Sequence, residues 1–225
     1  MLLLWPAGIE RDDIPLLVTD AAPCMKKAAT GLRCLYTKMI HVTFVAHELQ
    51  RVAEQIRQCY PKIDLLFSSM KKVFLKAPYR VELFRQIAPD LALPPRPIIT
   101  RWGTWLNAVN YYFENFKILT KILDRLNCDE SVCVKIAQDS FNDISVQGDL
   151  AYITANFNSL AKTICKLEKK GESLHNTLDH ITMVKNALKS CEGYIGKCIH
   201  SKFLNVFEKN VGFQTIRKLN EALIG

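Results

Sequence analysis

The spacing of apolar residues beyond residue 47 restricts this chain most, because it follows the period of an α-helix. Leu49, Val52, Ala53, Ile56, Ile63, Leu66, Phe67, Met70 and Phe74 recur at that spacing, as one buried helical face requires. Trp105, Val109, Tyr112, Phe113, Phe116, Leu119 and Leu123 form a second stripe. Leu150, Ile153, Phe157, Leu160, Ile164 and Leu167 form a third, and Leu174, Leu178, Ile181, Val184 and Leu188 a fourth. Short helices around 203–207 and 216–223 are expected to finish the chain. Gly148, Gly171, Gly193 and Gly212 are the expected helix boundaries. Pro61 should break or kink the first stripe near Tyr60, and Pro78 should end the segment that follows. Residues 89–97, PDLALPPRP, hold four prolines and read as an extended connector.

Before residue 47 the pattern is different. Residues 14–19, IPLLVT, are short, branched and followed by Asp20, as in a buried strand. Pro23 stands where the first turn of a helix tolerates proline, and residues 24–36 are helical in composition. Residues 39–45, MIHVTFV, are a second β-rich run. Strand, helix, strand with short connections describes a small α/β unit. The chain therefore divides into an α/β part, 1–46, and a helical part, 47–225.

A length of 225 residues with 49% hydrophobic side chains excludes a disordered tail, a collagen-like fibre and a small stapled scaffold. The apolar runs fall far short of the roughly 18 residues of a membrane span, so no membrane role is expected. The opening five residues are apolar but lack a basic flank, so no signal peptide is expected. The eight cysteines contain no Cys-x2-Cys pair. They read as free thiols in a reducing compartment, since a chain this long buries a core without staples.

The formal net charge is +8, and it is unevenly placed. Residues 26–102 carry 14 bases against 5 acids, while residues 103–225 carry 15 against 13. A local basic field attracts polyanions, of which nucleic acid is the commonest. On an ideal helix Arg51, Lys62, Lys72 and Lys76 fall within an arc of roughly 80°, away from the apolar stripe. Arg96 and Arg101 carry the positive region toward Trp102. A lysine-rich solvated face is the plainer reading of the same charge.

Few residues are placed for chemistry. Asp20, at the end of a strand, suits either a metal ion or the N-cap of the next helix, and local sequence favours the cap. Two-metal chemistry needs several carboxylates, and Glu10, Asp12 and Asp13 enter the same strand rather than a neighbouring one. His41 and His47 have no Cys or further His at zinc-ligand spacing and read as packing or capping residues. Gly-rich phosphate loops, Ser/His/Asp triads and HExxH are absent from the sequence. No cofactor is expected. The segment 98–106, IITRWGTWL, sets Arg101 beside Trp102, a pair able to grip a phosphate while the indole stacks on an unpaired base. The structural alternative makes Trp105 core and Trp102 a cover for the connector.

Several blocks together resemble a known family: LLVTDAAPCMKKA (16–28), MIHVTFVAHELQRVAEQI (39–56), YPKIDLL (60–66), KKVFLKAPYRVELF (71–84) and LPPRPIITRWGTWLNAVNYYFENF (93–116). They are similar to hAT-superfamily transposases and their derivatives, especially the insect transposon-like relatives of CGG triplet repeat-binding protein. The resemblance runs from about residue 12 to 190. It implies an RNase H-like catalytic fold with three acidic metal ligands, interrupted by a large helical insertion. Asp20 matches the second acid, and Trp102 after Arg101 matches a tryptophan that stacks on a flipped base. The helices from 47 onward match the insertion.

The departures are equally informative. No match to the first acid precedes Asp20, and none to the third, a glutamate, stands before Gly225. The family's Cys-x-x-His is here Phe44-Val45-Ala46-His47, and its BED zinc finger is missing. The expectation is a mainly α chain, with a truncated RNase H-like α/β fragment followed by an insertion-type helical domain. Its expected function is non-catalytic DNA binding or chromatin association in the nucleus, with Asp20 a vestigial acid. A helical protein-interaction module and a relic without selected function are the alternatives.

Overall fold

The computed structural model describes residues 14–97, 102–169 and 171–224, and for Trp102 and Ile224 the backbone alone. Among the described residues eleven α-helices accompany two short strands, both before residue 47. β1 (Leu16–Thr19) and β2 (Ile40–Thr43) run parallel, with Leu16 opposite Ile40 and Thr19 opposite Thr43. Parallel neighbours cannot be joined by a hairpin, so a crossover is obligatory. α1 (Pro23–Leu32) supplies it, with Pro23 in its first turn. Ala29 alone is buried on α1, so this helix lies mostly in solvent.

Prolines mark starts as well as stops. α2 (Val45–Gln58) ends before Tyr60, and Pro61 opens α3 (Pro61–Phe74) as a first-turn residue. Pro78, expected to close a segment, follows the end of α3 and also opens α4 (Pro78–Ile87). The physical reason is the same in both places: proline lacks an N–H that the first turn would leave unbonded anyway. Between α3 and α4, Lys76 takes a left-handed φ of 53°, which turns the chain. Residues 92–97 belong to no helix or strand, as their prolines favour.

The second stripe is two helices, α5 (Trp102–Glu114) and α6 (Phe116–Leu123), separated at Asn115. α7 (Val132–Asn142) follows, then the long α8 (Ile144–Leu167). Gly148 lies inside α8 rather than at a boundary. Gly171, at φ 90°, does separate α8 from α9 (Leu174–Lys189), and Gly193, at φ 84°, opens α10 (Gly193–Glu208). The last two helices are longer than their apolar clusters implied, α11 spanning Val211–Ile224.

The core is one continuous cluster. α5 lies along α8, α3 against α7, and α10 against α2 and α9. Leu49, Ile63, Val109, Tyr112, Phe157 and Val184 are fully buried in it. Val42 of β2 and Phe213 of α11 belong to the same cluster. The division at 46/47 falls in the first turn of α2, and α11 reaches back across it to pack on β2.

Asn210 makes that closure specific. Its side-chain amide donates to the Thr43 carbonyl at 2.9 Å and accepts from the Thr43 N–H at 3.3 Å. The same Oδ1 accepts from Phe213 N at 3.2 Å, so Asn210 also caps α11. One buried amide thereby continues the sheet's hydrogen bonding and satisfies a helix end.

Candidate nucleic-acid interface

The predicted basic arc does not survive as one helical face, because its members sit on separate elements. Arg51 belongs to α2 and is committed to Glu48, Nη1 to Oε2 at 3.2 Å. Glu48 is only 3% exposed, and its other oxygen accepts from Thr43 Oγ1 at 3.0 Å. Arg51 therefore neutralises a buried carboxylate that ties α2 to β2. Lys62, on α3, donates to Asp143 Oδ2 at 2.8 Å and to Ser145 Oγ at 2.7 Å. Asp143 caps α8 through Ser145 N, and the Lys62 ammonium holds its carboxyl down to about 2. Both cations have structural partners that the spacing of basic residues did not reveal.

Lys72 and Lys76 are exposed and make no ion pair among the described residues. Lys72 lies in the last turn of α3, and Lys76 lies beyond its end. Arg96 is exposed on the extended connector. It shares a shallow depression of about 150 Å³ with Lys71, Ser68, Pro97 and the edge of Trp105. Lys71 was outside the predicted arc because it is one residue, or about 100°, from Lys72 on a helix. Its approach to Arg96 depends on how the connector folds back over α3.

The floor of this depression is a fixed polar network. Asp64 accepts from Arg57 Nε at 2.8 and 2.7 Å, and from Trp105 Nε1 at 2.8 Å. Trp105 is 1% exposed and tilts against Phe67, which itself stacks on Tyr112. Trp105 is thus core, its one polar atom satisfied by a carboxylate. Trp102 begins α5, while Arg101 lies outside the described residues.

Asp20 is exposed and accepts from Ala22 N at 3.1 Å, an Asx-type turn. Ala22, not Asp20, occupies the N-cap position of α1, which corrects the expected cap by two residues. Among the described residues no group of three His, Cys, Asp or Glu side chains converges as a metal site requires. His47 lies in the first turn of α2 with its ring edge-on to Phe44, centroids 5.4 Å apart.

His41 has a more informative environment. Its Nε2 is 2.8 Å from Thr19 Oγ1, whose single proton is directed to the Asp20 carbonyl at 2.9 Å. The Thr19 hydroxyl thus bridges the His41 ring and the Asp20 carbonyl. Burial pushes the His41 pKa down, and the Arg33 and Lys26 charges push it further the same way. All eight cysteines are free thiols, with Cys191 buried and Cys24, Cys34, Cys128 and Cys165 exposed. No described helix is long and apolar enough to cross a membrane. The chain matches no protein-family model, no curated protein and no solved structure.

Proposed function

We propose that this chain is a non-catalytic, hAT-transposase-derived protein that binds DNA in the nucleus. Its contact surface is the end of α3 together with the extended connector. The observation that supports this reading is that Lys71, Lys72, Lys76 and Arg96 are exposed there without ion pairs among the described residues. Residues 71–97 carry six bases against two acids, so the local field is positive. Arg51 and Lys62 are not contact residues in this reading, since their charges are spent on Glu48 and Asp143. The non-catalytic part of the reading rests on the sequence, in which Asp20 alone matches the three acids of the resembled family.

Binding to duplex and hairpin DNA, followed from 50 to 200 mM salt, tests the reading. Phosphate contacts numbering about four to six give a log–log slope of roughly −4 to −5. Charge reversal at Lys72 and Lys76 weakens all sequences alike and flattens that slope. Trp102→Ala weakens hairpin or single-stranded binding more than duplex binding, because only unpaired bases present a face. Binding indifferent to salt overturns the DNA reading and favours a protein-interaction module. That alternative rests on the apolar groove of about 270 Å³ bordered by Leu16, Val18, Phe44 and Leu174. Metal-dependent cleavage lost in Asp20→Ala overturns the claim of inactivity.

A further inference from the structure

A second basic locus lies away from the α3–α4 surface, and it is concave. α1 turns Lys26, Thr30 and Arg33 toward it, spaced four and three residues apart along one helical face. β2 contributes His41, the turn between α10 and α11 contributes Lys209, and the first turn of α11 contributes Val211 and Gly212. The pocket holds about 200 Å³ and no Asp or Glu lines it. Lys26, Arg33 and Lys209 make no ion pair among the described residues. Three cations in one concavity without a carboxylate repel one another; burial lowers the His41 pKa most, and the Arg33 and Lys26 charges lower it further.

The N-terminus of α11 opens onto the same pocket. Asn210 takes the Phe213 N–H, but the N–H groups of Val211 and Gly212 have no acceptor among the described residues. The first-turn amides and the positive end of the helix dipole favour an anion there. Gly212 sits against the His41 carbonyl, where any Cβ would lie 1.8 Å from the oxygen. The helix end is thereby held against β2, and Val211 and Gly212 both line the pocket.

We propose that this pocket is a phosphate-binding site, with Lys26, Arg33 and Lys209 as counter-charges and the α11 amides as directional donors. The ligand class is a phosphate monoester. A single carboxylate would be satisfied by one arginine fork and would leave two cations unpaired, whereas a tetrahedral dianion presents oxygens to several walls at once. His41 lines the site and, once protonated, adds a further positive charge and N–H donor to its wall. Anion entry therefore raises the affinity of His41 for a proton.

The site is independent of the proposed DNA surface, and the two are tested separately. The full chain is titrated with inorganic phosphate at constant ionic strength while the Val211 and Gly212 amides and the His41 ring are followed by NMR. Saturable shifts at these three residues, with a rise in the His41 pKa, are expected. Lys26→Ala together with Arg33→Ala weakens phosphate by about tenfold or more. Both side chains are exposed, so an unchanged melting temperature shows that the fold is kept. Lys135→Ala, in an exposed position on α7, leaves the affinity unchanged. A 5′-phosphorylated oligonucleotide that outcompetes its 5′-hydroxyl twin assigns the phosphate to a nucleic-acid end. Equal competition assigns it to a small free phosphate. Unsaturable shifts spread over all surface lysines, or silence at Val211, Gly212 and His41, overturn the proposal. Charge reversal at Lys72 and Lys76 that abolishes duplex binding leaves phosphate binding here intact.

Discussion

Tyr112 is fully buried, and its hydroxyl has no hydrogen-bond partner. Burial pushes its pKa well above the usual phenol value, because the charged form would be stranded in the core. Removing an unpaired buried hydroxyl costs nothing in hydrogen bonds, so Tyr112→Phe should be neutral or stabilising by up to about 1 kcal/mol in urea unfolding. Asp64 is the opposite case. It satisfies both Arg57 and the buried Trp105 N–H, so Asp64→Ala should destabilise by about 1–3 kcal/mol in the same measurement. His41 has a pKa below its ordinary 6.5, chiefly through burial and then through Arg33 and Lys26. A lowered histidine pKa means that the fold prefers the neutral ring. Its stabilising contribution is therefore complete above about pH 6.5 and lost as pH falls through the folded-state value. An NMR titration should show the His41 pKa rising in Arg33→Ala, without reaching the unperturbed value, since burial remains.

α11 is the element on which the architecture depends most sharply. Its first turn approaches β2 so closely that Gly212 has no room for a methyl group against the His41 carbonyl. Gly212→Ala must push the helix off the strand, and should cost about 1–3 kcal/mol or more, read from the urea midpoint and from faster amide exchange along α11. Asn210→Asp separates the parts of the neighbouring contact. The carboxylate still accepts from Thr43 N and Phe213 N, but it cannot donate to the Thr43 carbonyl. It should destabilise α11 and β2 together, by about 1–3 kcal/mol, because an acceptor then faces an acceptor in a buried place. α3 shows how an element's ends redistribute function. Its stripe from Ile63 to Phe74 is buried as the spacing required, but Lys62 at its start caps α8 through Asp143, leaving only its last turn for a ligand.

At the scale of the whole molecule, a large helical core carries a two-stranded sheet whose β1 leaves Leu16 and Val18 about half exposed. A strand with an open edge and little buried area opens more easily than helices packed on several sides. Hydrogen exchange should therefore protect α5 and α8 far more than β1 and α1. The helical stripes and the strand–helix–strand opening were legible in the sequence because each rests on a local period that burial enforces, as Leu49, Val52 and Ile56 illustrate. The prolines were legible as breaks, but Pro78 also starts a helix, because the first turn of α4 needs no N–H from it. Sequence alone placed Arg51, Lys62, Lys72 and Lys76 together on one idealised helix. The tertiary structure assigned Arg51 to Glu48 and Lys62 to Asp143, the latter 81 residues away along the chain. It also brought Lys71 to Arg96, and Lys209 to Lys26, Arg33 and His41. Periodicity reports which side of an element is apolar. Which charges meet across elements is set by how those elements pack, and no local pattern of residues encodes that.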